Sequence, residues 1–171
     1  MYGIDIFENI KMHIDWYMIY WGIKNGILSV NIAQDYVCRK MEQDEAVSDE
    51  ESELSWKSED LTSVLETIEK IPKFLDNIEE NMKQAKEKVR IAIIIFLRQT
   101  EKDSSKLFEQ IDMVYANFDY PEDMEKFISY MPIDGEYIST DHSLEENRCY
   151  LLSQLDGYIS RQVEKYQLQI L

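Results

Sequence analysis

The chain has 171 residues, with 34 Asp and Glu against 18 Lys and Arg, for a formal charge of −16. That length fits one domain with a real core, and 44% hydrophobic with 12% aromatic residues argues against a disordered chain. The charge opposes contact with nucleic acid or an anionic membrane surface and speeds encounter with a basic partner; five Gly and three Pro leave too little turn chemistry for many short strands, so an all-α fold is expected.

Residues 4–13, IDIFENIKMH, predict a short helix with Ile4, Phe7 and Ile10 or Met12 inward. Asp5 and Glu8 stand where a secretion signal needs a basic start and an apolar run, so the expected address is the cytoplasm. Asp15 is placed to cap WYMIYWGIK, whose stripe is Trp16, Ile19, Tyr20 and Ile23. Lys24 falls in its last turn and Gly26 just past its end. The rings of Trp16, Tyr17, Tyr20 and Trp21 could stack on nucleobases, but without interleaved basic residues they read as core and its rim. Ser29 is the expected cap of the next helix, VNIAQDYVCRKMEQ, with Val30, Ala33, Val37 and Met41 on one face. These two helices read as a hairpin with a short loop.

Residues 42–53, EQDEAVSDEESE, hold seven acids and no base. Self-repulsion and the lack of apolar anchors predict an acidic mobile loop over about 42–55. A calcium loop does not fit, because the acids lack the alternate spacing with a central Gly. Ser58 is then expected to cap EDLTSVLETIEKI, with Leu61, Val64, Leu65 and Ile68 inward and Pro72 at its end.

The stretch at residues 75–99, LDNIEENMKQAKEKVRIAIIIFLRQ, is the one the fold is expected to be organised around. Leu75, Ile78, Met82, Ala85, Val89, Ala92 and Phe96 recur at spacings of three and four. Seven apolar residues follow one another from Ile91 to Leu97, which predicts two turns covered on all sides. A membrane span needs about 20 apolar residues, and Arg90 and Arg98 bracket this run. Asp103 to Ser105 starts a helix with Leu107, Ile111, Val114, Tyr115 and Phe118 on one face. Pro121 suits the first position of another, with Glu122 and Asp123 in its first turn and Met124, Phe127, Ile128 and Met131 buried. Asp134 and Gly135 predict a turn. Ser143 caps a last helix, with Glu146 at the capping-box position. Its apolar face is Leu144, Leu151, Leu152, Leu155, Tyr158 and Ile159, and the pattern stays helical to Leu171.

No catalytic constellation is present. His13, Cys38, His142 and Cys149 are scattered singly, which fits no zinc site and suggests buried thiols in a reducing compartment. A four-helix di-iron site needs two Glu-x-x-His pairs, and none occurs. Gly-rich phosphate loops and nucleophile elbows are missing from the sequence. Asp141 beside His142 could form a general base, yet no nucleophile is paired with it and it reads as a surface histidine. No catalytic, cofactor or metal residue is therefore assigned, and a non-enzyme is expected.

Two blocks, DWYMIYWGIKNG from Asp15 and YANFDYPEDMEKFISYMP from Tyr115 followed by SLEENR from Ser143, resemble the bacterial family catalogued as domain of unknown function 2247. The run from Phe118 to Asp123, FDYPED, is the most distinctive part. The family has no established activity, so no catalytic residue is carried over. The resemblance implies an association with immunity proteins, small acidic proteins that neutralise toxins encoded beside them.

The expectation is thus a single-domain bundle of about six to eight helices around a buried helix at 75–100. Its expected role is to occlude the cleft of a basic toxin domain such as a nuclease, with a self-associating scaffold as the alternative and a metal-dependent enzyme a distant third. Fast association would come from complementary charge and affinity from a few buried anchors. The candidate contacts are Asp44, Glu45, Asp49, Glu50, Glu51 and Glu53 in the acidic segment, and Asp119, Glu122, Asp123 and Glu125 around the FDYPED run.

Overall fold

The computed structural model describes residues 1–56, 60–132, 135 and 137–170. Over these residues the chain is all-helical, with eight α-helices, two short 3-10 helices and one isolated bridge between Tyr2 and Leu28. It forms two compact units, Met1–Val89 and Arg90–Leu171. No described helix is long and apolar enough to cross a membrane.

The first unit holds α1 (Asp5–Glu8), α2 (Trp16–Lys24), α3 (Ile32–Glu42), α4 (Asp49–Leu54), α5 (Leu61–Lys70) and the start of α6 (Ile78–Thr100). Asp15 caps α2 as predicted, its Oδ1 accepting the Met18 N–H at 2.9 Å. Gly26 takes a φ of +67° past the last turn, a conformation that a side chain would strain. The N–H groups of Ile27 and Leu28 then donate to the Gly22 carbonyl at 2.9 and 3.0 Å. This return brings Leu28 so close that a Cβ on Gly22 would lie 2.3 Å from it, so the position needs glycine.

Ser29 is used differently from its expected role as a cap. Its N–H donates to the Tyr2 carbonyl at 2.9 Å, and Tyr2 donates in turn to Ile27 at 3.0 Å. The chain makes one more turn before α3, whose N-cap is Asn31 with no side-chain bond. The buried face moves accordingly to Ile32, Ala33 and Val37, and Met41 is exposed. α5 is capped by Asp60, whose Oδ2 accepts the Ser63 N–H at 2.8 Å; Ser58 lies outside the described residues. Val64, Thr67 and Ile68 are its buried side, while Leu61 faces solvent. α2 packs on α5, and α4 packs on α3 and α5. Phe74 closes this group, stacking on Tyr17 at 5.0 Å and tilting against Tyr20 at 5.2 Å. The Tyr20 hydroxyl donates to Glu69; burial, and then that carboxylate, push the phenol up to about 12. Leu75 precedes α6 and is 60% exposed, so it is no part of the helix stripe.

The second unit begins inside α6. Ile91 to Ile95 and Leu97 are all buried, as the run of apolar residues predicts. Each branched side chain among them contributes about 2 kcal/mol on leaving water, before conformational entropy is counted. Asp103 caps α7 (Ser104–Asn117) through the N–H groups of Ser105 and Lys106 at 2.8 and 3.3 Å. Pro121 leads into η1 (Glu122–Phe127), a 3-10 helix where an α-helix was expected, and Met124, Phe127 and Ile128 are buried. A second 3-10 turn, η2 (Ser139–Asp141), precedes α8 (Leu144–Tyr166). Ser143 and Glu146 form the predicted capping box. Leu144 is 80% exposed because it stands in the first turn, before α8 reaches its packed stretch. α8 packs on η1, with the rings of Phe127 and Tyr158 5.0 Å apart. It ends at Tyr166, short of the predicted tail, where Gln167 turns left-handed and Leu168 is buried. Of the predicted Asp134–Gly135 turn, Asp134 lies outside the described residues and Gly135 has a φ of +104°. Both cysteines are free, but Cys38 is only half-buried and Cys149 is exposed, which corrects the expectation of two buried thiols.

A candidate partner-binding surface

The two sets of candidate acids meet different fates. In the first unit the predicted loop is interrupted by α4, which a complete capping box starts. Ser48 Oγ accepts the Glu51 N–H at 3.2 Å, and Glu51 Oε2 accepts the Ser48 N–H at 2.8 Å. The other oxygen of Glu51 accepts from Lys40 Nζ and from Trp16 Nε1, both at 2.6 Å. Glu51 is only 6% exposed. Burial pushes its carboxyl up, but the hydrogen bonds from Lys40, Ser48 and Trp16 outweigh this and hold it below the ordinary range. Glu51 therefore ties α4 to α2 and α3 and is withdrawn from any partner. Asp44, Glu45, Asp49 and Glu53 face solvent, and Glu50 is half-buried. Of these only Glu45 bears on the Tyr36 phenol, which rises to about 12 chiefly through burial, then through Glu51, Asp15 and lastly Glu45.

In the second unit α7 ends at Asn117, and Phe118, itself buried, anchors the chain as it leaves. Asp119 and Tyr120 both take left-handed backbone, at φ +63° and +56°. For residues with a side chain each such step costs about 1 kcal/mol, Asp being one of the more tolerant. The turn is closed by Tyr120 N–H donating to Tyr115 O at 2.9 Å. Its consequence is an outward ring. Tyr120 is 60% exposed and meets Tyr115 edge-on, with centroids 5.2 Å apart and planes at 83°. Tyr130, also 60% exposed, reaches the same Tyr115 at 6.4 Å. Tyr115, buried, forms the floor between them.

Carboxylates surround these rings. Asp112, on α7, accepts the Ser129 N–H at 3.1 Å and also the Ser129 hydroxyl, which fixes the segment carrying Tyr130. The Tyr130 phenol is raised by burial, then by Asp112 and Tyr120. The Tyr115 phenol is raised by burial, then by Glu125, Tyr130 and Tyr120. Glu125 and Asp112 are thus close enough for their charge to act on the cluster, and the phenols stay neutral and able to donate. Glu122 and Glu125 are exposed and also line a groove of about 400 Å³ with Lys126, Tyr150 and Gln154. Asp123, itself exposed, is engaged by the buried Arg90, whose Nη2 donates to it at 2.7 Å. Beside that pair the buried Tyr158 phenol is raised, chiefly by burial.

Of the predicted contacts, the structure brings Glu125 to the tyrosine cluster and sets Asp119 in the turn that presents it. Glu51 and Asp123 serve the fold. Sequence reasoning placed Tyr115 in the core and passed over Asp112, Tyr120 and Tyr130. The Asp141–His142 pairing is replaced by other contacts: His142 stacks on Tyr137 at 4.4 Å, and its Nδ1 lies 3.9 Å from Glu146 Oε2. Among the described residues no three His, Cys, Asp or Glu side chains converge as a metal site. An aromatic surface with a carboxylate rim suits the recognition of cationic side chains, by cation–π contact and charge-assisted hydrogen bonds.

The sequence matches a family of uncharacterised proteins conserved in bacteria, DUF2247, over residues 4–163, and the chain belongs to that family. No curated protein and no solved structure matches it.

Proposed function

We propose that this member of the family is a non-enzymatic cytoplasmic binding protein for a basic protein, acting as an immunity protein that occludes the cleft of a toxin domain such as a nuclease. The observation that carries this reading is the pair of exposed rings, Tyr120 and Tyr130, held over buried Tyr115 beside Asp112 and Glu125. Tyrosine is enriched among the residues that dominate protein interfaces, since it contributes large, rigid area at little entropic cost. The formal charge of −16 adds a long-range attraction that orients and accelerates encounter with a cationic surface.

The test is capture of partners from lysate of the source organism at low and high salt, with an unrelated acidic helical protein as control. A single basic protein that survives high salt, and whose activity is lost when the chain is added in equal amount, supports the reading. Recovery of only the control's salt-labile background, together with a stable homo-oligomer by light scattering, overturns it in favour of a self-associating scaffold.

A further inference from the structure

We propose that the exposed rings of Tyr120 and Tyr130 form the seat for an arginine side chain of the basic partner, with Asp112 and Glu125 as its counter-charges. The proposal rests on the basic-partner reading and names the chemical group that reading would place at this surface.

The geometry selects the occupant. The two rings lie against a common buried floor, Tyr115, at interplanar angles of 83° and 57°. Because these angles differ, the two exposed rings are not parallel to each other, and a flat cation can stack on the face of one of them. A guanidinium is planar, weakly hydrated and rich in N–H donors, so it can stack on one ring while donating sideways to a carboxylate. An ammonium is a compact, strongly hydrated point charge and gains less from a ring face. The seat is also held in place before any ligand arrives. Asp112 is clamped by the Ser129 N–H and hydroxyl, the Tyr120 backbone is held by its N–H bond to Tyr115 O, and its ring rests edge-on against Tyr115. A rigid aromatic seat loses little entropy on binding. Phenols that remain neutral keep their hydroxyls as additional polar contacts.

The experiment uses the full chain and two probes of equal charge, a hexa-arginine and a hexa-lysine peptide, followed by NMR of the tyrosine rings at low and at moderate salt. The expected result is that hexa-arginine shifts the ring signals of Tyr120 and Tyr130 and binds at least fivefold more tightly than hexa-lysine. The preference should vanish in Tyr120→Ala/Tyr130→Ala and persist in Tyr120→Phe/Tyr130→Phe, which keeps the ring faces and guards against a variant that merely misfolds. Equal binding of both peptides, with these ring signals unmoved, overturns the arginine seat while leaving the basic-partner reading intact. Failure of both peptides to bind even at low salt overturns the two together.

Discussion

The acidic segment before α5, with seven carboxylates, and the FDYPED turn, with three, use their acids in opposite ways. In the first, Glu51 turns inward and becomes the tie between three helices, because Lys40 and the Trp16 indole wait for it. In the second, Asp123 is held by Arg90, while a strained turn pushes Tyr120 out beside Tyr130 and the acids around them. A carboxylate's role is decided by the donors within its reach, and the local density of acids says little about it.

The sharpest break of this comparison is Glu51→Ala. It leaves a half-buried ammonium and a buried indole N–H without their acceptor, so a loss of about 3 kcal/mol is expected in urea denaturation. Glu45→Gln, at an exposed position, should stay within about 0.5 kcal/mol. The same contrast has a pH signature. The Glu51 carboxyl lies below its ordinary value of 4.5 when folded, so its stabilisation is complete above that pH and drains away as the pH falls through the folded value. Thermal melts of the wild type should therefore fall more steeply on acidification than those of Glu51→Gln; parallel curves would remove Glu51 from the account.

Next in size is Arg90. Arg90→Ala should cost about 2 kcal/mol, from lost packing of its buried stem and from Asp123 left without its donor. Arg90→Met should cost under about 1 kcal/mol, because an apolar chain of similar length replaces a buried charge at little loss. If Met and Ala prove equally damaging, the ion pair matters more than the stem. Ser48→Ala should cost about 1 kcal/mol, the usual effect of a lost cap, with Glu51 still held by Lys40 and Trp16. The smallest effect on stability belongs to Glu125→Gln, expected within about 0.5 kcal/mol. Its consequence should appear in association, as slower binding to a basic partner at low salt that converges with wild type at high salt.

The parts of the fold legible in the sequence are those written locally. The caps at Asp15 and Ser143 each bond an N–H three residues away, both are where the pattern puts them, and the helix expected to start at Asp103 to Ser105 is capped by Asp103. The run from Ile91 to Leu97 is apolar at every position, so its burial, complete but for half-buried Phe96, needs no knowledge of neighbours. Leu75 and Leu144 were misread because periodicity marks an apolar residue without saying whether the packed stretch of the helix reaches it. Glu51 was misread because its partners Trp16 and Lys40 are 35 and 11 residues distant. The tyrosine seat was hidden for a related reason. Tyr115, Tyr120 and Tyr130 meet only because the chain reverses through two left-handed residues, and no glycine marks that reversal.

The border between the two compact units falls between Val89 and Arg90, in the middle of an unbroken helix. A gene fragment encoding either unit alone would encode half of α6, about three turns, which is marginal as a helix in water. The fragment carrying the second unit would begin with its apolar run at the severed end. Recombination therefore has no seam here at which to exchange one unit and keep the other.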